Sequence, residues 1–200
     1  LYSTYLSWYS ILTVFCTLNM HSVIYVNNYT KADTQKEKDD AAVPLISLSA
    51  LLTIALFVLY LIFHTWLDKL IGLPFTLVCL LFAQILFEPP VNFWSMQQRF
   101  EYKYVILVAR TIAMVVLNAV LGIAFVWMAS ANEAIARACS IVLVQFVFGG
   151  IFYIYFWKRA GKVFSAKGWK HALAVQLPLL PHSLSLTILS SSDRIMISNM

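Results

Sequence analysis

The stretch Lys158–Met200, KRAGKVFSAKGWKHALAVQLPLLPHSLSLTILSSSDRIMISNM, decides how the chain is read. It opens with Lys158, Arg159, Lys162, Lys167 and Lys170 and no acid, then stays uncharged from His171 to Ser192 before Asp193 and Arg194. Lys and Arg are retained on the cytoplasmic face of a membrane, so a basic loop feeding an apolar segment of this length says that the segment enters from the cytoplasm. Pro178 and Pro181 fall near its start. Each removes a backbone donor and disfavours a straight helix, so a hinge or helix break is expected there. Broken apolar segments carry substrate contacts in transporters, and a Pro-kinked packing helix is the alternative.

Composition agrees with a bilayer as solvent. Of 200 residues 61% are hydrophobic and 12% charged, with a mean hydropathy of +0.79. A soluble domain of this size is excluded, and the expected fold class is all-α, a polytopic transmembrane helix bundle. The net charge of +5 comes from basic residues in short loops between apolar runs. Positive-inside topology accounts for it and no nucleic-acid partner is implied. Cys16, Cys79 and Cys139 lie inside apolar runs with no CxxC and no His at ligand spacing, so neither disulfide nor metal site is expected. The first residue is Leu1 inside an uncharged run, which reads as a piece of a longer protein.

Splitting the chain at its charges predicts six spans: 3–26, 43–65, 70–90, 102–129, 133–157 and 171–197. The connections after spans one, three and five hold ten Lys and Arg, from Lys31 to Lys170, against Lys69 alone after spans two and four. The odd-numbered connections are therefore expected on the cytoplasmic side. The first of them, NNYTKADTQKEKDD over 27–40, mixes three Lys with four acids and reads as a hydrated connector. Pro89 and Pro90 are expected to stop the third span. After them comes an aromatic stretch with Phe93, Trp94, Phe100, Tyr102 and Tyr104, an interfacial elbow in which Arg99 and Lys103 could donate to a lipid phosphate.

Four charges fall within apolar runs or at their ends. Arg110 lies about 9 Å beyond Tyr104 on a helix, deep enough that it must face a polar cavity or reach back to the interface. In a cavity it would be a bidentate donor to a phosphate. Arg137 follows Glu133 by four residues and reads as a helical ion pair. Asp193 and Arg194 form either a boundary pair or, with Ser190, Ser191 and Ser192, a polar surface lining a cavity. His182, just after Pro181, would bond a freed backbone carbonyl or contact substrate. Neither a nucleophile-and-base arrangement nor a phosphate-cradling glycine loop is present.

The run LPLLPHSLSLTILSSSDRIMISNM, with Pro178, Pro181 and His182 followed by Asp193, Arg194 and Ile197, resembles the seventh helix of the polysaccharide and O-antigen flippases (Wzx-type) of the multidrug/oligosaccharidyl-lipid/polysaccharide exporter superfamily. QQRFEYKYVILVARTIAMVVLNAVLGI resembles the approach to that family's fifth helix, and YSTYLSWYSILTVFCTLNMHSVI its second. Asn19 departs from the family, where a glycine is frequent. The resemblance implies helices two to seven: residues 1–157 as a first bundle lacking its first helix, 158–170 as a basic cytoplasmic linker, and 171–200 as the first helix of a second bundle. It implies a non-enzymatic, cofactor-free flippase of the cytoplasmic (inner) membrane, moving polyprenyl-pyrophosphate-linked oligosaccharide for O-antigen, capsule or exopolysaccharide. Two bundles would rock around a central cavity. The partners implied are the lipid-linked oligosaccharide and membrane lipids, with polysaccharide polymerase and chain-length machinery as further candidates. Arg110 and Arg194 would take the pyrophosphate, with Arg99 and Lys103 at the entrance, Asp193 and His182 beside them, and Asp193 the one carboxylate expected inside. A multidrug or cation antiporter of the same superfamily, and an integral-membrane glycolipid transferase, are the competing readings.

Overall fold

The computed structural model describes residues 2–129, 132–160 and 164–198, and side chains throughout these except at 69–70 and 190–198. Seven helices follow one another: α1 (Tyr2–Thr17), α2 (Ile24–Lys31), α3 (Gln35–Ile71), α4 (Phe75–Phe100), α5 (Tyr104–Met128), α6 (Glu133–Arg159) and α7 (Ala166–Ser198), with no strand among the described residues. Stretches of α3 to α7 are long and apolar enough to cross a bilayer. The protein is a multi-pass helical membrane protein.

The first predicted span is divided. α1 has 16 residues, about 24 Å at 1.5 Å per residue, short of a hydrocarbon core of about 30 Å. The chain leaves it through Leu18 and Asn19, both at positive φ (48° and 49°). That is the left-handed region glycine enters freely and Asn tolerates better than most side chains. Asn19 therefore does what a glycine would do in its place, turning the chain towards α2.

The connector 27–40 keeps Lys31, Asp33, Lys36 and Glu37 exposed, as its charge implies, but it is largely helical rather than a loop. Thr34 and Glu37 form a reciprocal capping box that starts α3, satisfying orphan donors of the first turn. Asp39 is buried, accepts from Gln35 Nε2 at 3.3 Å and pairs with Arg159 Nε at 3.5 Å. The T-x-x-E signature that drives this folding lies inside the mixed-charge run.

Pro89 and Pro90 do not stop their helix either: α4 continues to Phe100. A proline inside a helix leaves the carbonyl four residues earlier without its donor, and in a bilayer that acceptor has no water to turn to. Pro90 frees Leu86, whose carbonyl accepts from the Tyr153 hydroxyl of α6 at 2.9 Å. Gln145 Nε2, also on α6, donates to the Phe87 carbonyl at 3.3 Å. Gly149 permits this approach, because a Cβ there would collide with the Phe87 carbonyl oxygen and sit 2.7 Å from Phe87 Cβ. Replacing Tyr153 by Phe should therefore lower thermal stability by about 1–3 kcal/mol, the cost of a buried acceptor left unpaired. Unchanged melting of the purified variant would show that the carbonyl finds another partner.

α7 likewise remains one helix through Pro178 and Pro181, where a break was expected. It packs against α1 and α3, with Ala172 and Gln176 buried and Trp169 Nε1 donating to the Pro44 carbonyl at 2.8 Å. Outside these packed faces apolar side chains are left bare: on α5, Val105, Ile123 and Trp127 are more than 70% exposed. A surface of that kind suits lipid contact.

Residues of the three odd-numbered connections and their flanking helix ends meet at one end of the bundle. Tyr29 donates to Glu101 Oε1 at 3.2 Å, Gln97 to the same oxygen at 3.1 Å, and Lys103 to Glu101 Oε2 at 2.7 Å. Arg159 joins Asp39 beside them and donates to the Tyr155 hydroxyl. Burial raises the Glu101 carboxyl, but the hydrogen bonds from Lys103, Gln97 and Tyr29 outweigh it and hold the group below its ordinary range. A carboxyl whose folded value is depressed stabilises the fold above its unfolded value and loses that contribution as pH falls through the folded one. The basic end should thus loosen only once the pH falls below the ordinary range of a glutamate. Melting of the Glu101→Gln variant should depend less on acid than that of the parent, and parallel curves would contradict the assignment.

Candidate functional site

Gln84, Glu88, Asn92, Ser95 and Arg99 follow one another along α4 at steps of four, four, three and four residues. That spacing puts them in one stripe on the helix. Because α4 does not end at Pro89, the stripe runs unbroken from the middle of the bundle to its basic end.

The middle of the stripe is Glu88. Tyr9 of α1 donates to its Oε2 at 2.7 Å and Asn92 Nδ2 to its Oε1 at 3.1 Å, while Gln84 one turn away accepts from Tyr5 at 2.6 Å. Among the described residues no Lys, Arg or His pairs with Glu88. It lies between two apolar clusters, one around Tyr5, Leu81 and Ile85, the other around Tyr25, Phe93 and Phe156. The expectation that Asp193 was the sole carboxylate inside the protein is corrected by it.

Towards the basic end, Arg110 of α5 turns onto the same stripe. Its Nη1 donates to Ser95 Oγ at 3.1 Å, its guanidinium carbon stands 5.9 Å from the ring centres of both Trp94 and Phe152, and its Nε is buried without a partner. Arg110, Arg99, Asn92, Ser95 and Thr111 line a hollow of about 430 Å³ between α4 and α5. Two guanidiniums line this one hollow, with no carboxylate at ion-pair distance of either among the described residues.

The other expected site residues are not brought there. Lys103 is neutralised by Glu101 and lines a separate polar hollow with Gln35, Gln97 and Arg159. His182 is exposed on α7, away from any described polar partner. The side chains of Asp193 and Arg194 lie outside the described residues. Arg137 does not pair with Glu133. It reaches across Gly122 and donates to the Asn118 carbonyl of α5 at 2.7 Å, and a Cβ at Gly122 would overlap its guanidinium. Phe93 and Trp94, expected in an interfacial belt, are buried, Trp94 stacked 4.6 Å from Phe152; Tyr102 and Tyr104 stay exposed.

Glu88, Asn92, Ser95 and Tyr9 were absent from the sequence-based site. Their helical spacing was visible, but reading Pro89 and Pro90 as a helix end cut the stripe in two.

A multi-pass helical bundle with a polar stripe along one of its apolar helices is an integral membrane protein. The family model of the polysaccharide biosynthesis proteins matches residues 1–200, and the chain belongs to that family. No curated protein and no solved structure matches it.

Proposed function

We propose that the protein is a flippase that carries polyprenyl-pyrophosphate-linked oligosaccharide across the cytoplasmic membrane by alternating access, without covalent chemistry. Family membership supports a role in polysaccharide synthesis. The observation that carries the finer reading is the hollow lined by Arg99 and Arg110, whose guanidiniums lack carboxylate partners among the described residues. A guanidinium within membrane depth is costly unless an anion or water meets it, and a pyrophosphate supplies several acceptor oxygens in the geometry Arg matches. The ten-to-one loop asymmetry supports a cytoplasmic basic end, and a hollow near that end suits a lipid-linked substrate made inside.

The half-buried Glu88 gives one observation to the cation-antiporter reading. It is enclosed by Tyr9 and Asn92, however, while the open hollow presents cations, so an anionic cargo fits better. Inactivating the gene and following the lipid-linked oligosaccharide by leaflet separates these readings. Accumulation on the inner leaflet is expected. Loss of the glycolipid itself would indicate a transferase, and unchanged distribution together with drug sensitivity would indicate the antiporter.

A further inference from the structure

We propose that Glu88 is a reversible proton site, and that its proton sets the affinity of the Arg99/Arg110 hollow for a pyrophosphate. The proposal rests on the anionic reading of that hollow and adds the device that regulates it.

Both Glu88 oxygens accept hydrogen bonds, from Tyr9 at 2.7 Å and from Asn92 at 3.1 Å, which is the arrangement an ionised carboxylate needs. The same site also serves the protonated form. An Asn side chain offers a carbonyl as well as an amide, so rotating Asn92 by half a turn lets it accept from a Glu88 hydroxyl. With the proton on Oε1 facing Asn92, Oε2 goes on accepting from the Tyr9 hydroxyl. A carboxyl that keeps its partners in both states can gain and lose a proton without leaving a buried polar group stranded.

Among the described residues the groups near Glu88 come from α1, α3, α5 and α6. α1 supplies Tyr9 and, farther off, Cys16; Thr53 of α3 stands beside Cys16. α6 supplies Tyr153 and Gln145, which donate to the neighbouring Leu86 and Phe87 carbonyls. α5 supplies Arg110, through Ser95. Asn92 is the link, since it donates to Glu88 and lines the arginine hollow. Ser95, the partner of Arg110, lies seven residues along α4, roughly 10 Å at 1.5 Å per residue. A negative charge at that distance, at the effective dielectric of a protein, lowers affinity for an anion by roughly tenfold. Anion binding should then draw in a proton, and by linkage a proton should favour the anion.

The test uses the full-length protein in nanodiscs, with farnesyl pyrophosphate as the probe. Affinity is measured across pH for the parent and for Glu88→Gln, a neutral isostere that still accepts from Tyr9, so the probe's own ionisation cancels in the comparison. The variant should bind about tenfold more tightly at alkaline pH, the two should converge in acid, and a pH-indicator dye should report proton uptake on binding in the parent only. Infrared difference spectra should show a protonated-carboxyl band that titrates in the parent, vanishes in Glu88→Gln, and persists about one pH unit higher in Tyr9→Phe, which removes a donor to the ionised form. Equal pH dependence of binding in parent and Glu88→Gln, or no carboxyl band that the substitution removes, overturns the proposal. If the probe binds neither protein, the pyrophosphate reading of the hollow falls and the coupling falls with it. The infrared titration then reports separately whether Glu88 takes a proton.

Discussion

Replacing Arg110 by Ala should cut transport of the lipid-linked oligosaccharide by one to two orders of magnitude while leaving the protein in the membrane at parental levels. The size follows from losing a charge-assisted contact to phosphate, worth about 1.5–3 kcal/mol. The unchanged abundance follows from what Arg110 costs. Its buried Nε has no partner, and a desolvated guanidinium does not stabilise a bundle, so truncation should leave melting unchanged or raise it. Ser95 loses nothing essential, because its hydroxyl also donates to the Val91 carbonyl at 2.6 Å. Arg110→Lys should recover only part of the activity, since an ammonium keeps the charge but neither the bidentate fork nor the stacking on Trp94 and Phe152. Leaflet-resolved measurement of the glycolipid in complemented cells gives the activity, and immunoblotting of membranes gives the abundance. Full transport with Ala at 110 would remove this residue from the site.

The largest loss of stability is expected from Gly149→Val. Helices in lipid associate through close packing rather than hydrophobic transfer, so a residue that lets two backbones touch carries much of the contact. A side chain at 149 would drive α6 off the Phe87 carbonyl of α4, costing about 1–3 kcal/mol in overpacking. The bonds from Gln145 to Phe87 and from Tyr153 to Leu86 would be stretched with it, at about 1 kcal/mol each. At roughly 2–4 °C per kcal/mol for a chain of this size, melting should fall by about 10 °C. Gly150→Ala is the matched control. A Cβ at 150 meets nothing within 4 Å, so its effect should stay within about 0.5 kcal/mol. Equal melting of the two variants, followed by scanning fluorimetry in detergent, would mean that α4 and α6 are not held by this contact.

These two residues also mark how far reading the chain could go. Arg110 stood out because a lone guanidinium before an uncharged run of 22 residues has few places to be. Gly149 did not, since its role depends on facing Phe87, 62 positions earlier. Glu88 shows the same limit from another side. Its neighbours along α4 fall at helical spacing, yet two prolines argue for a helix end when considered locally, and it takes a side chain of α6, Tyr153, to satisfy the Leu86 carbonyl that Pro90 frees. The helical form of the connector 27–40 was illegible for a third reason. Average charge argued for hydration, whereas one capping box and one inward Asp39 decided the fold.

The sequence by itself determined the solvent, the helical class and the grouping of the basic connections at one end, because hydropathy and charge act additively along a chain and need no partner to be counted. Tertiary structure decided which charges meet. Arg99 shares a hollow with Arg110 while Lys103, four residues on, is bound to Glu101, and Glu88 is enclosed by a hydroxyl from α1. Such pairings depend on the rotation of each helix about its axis, which is set by packing against neighbours and is not encoded in the hydropathy of any one segment.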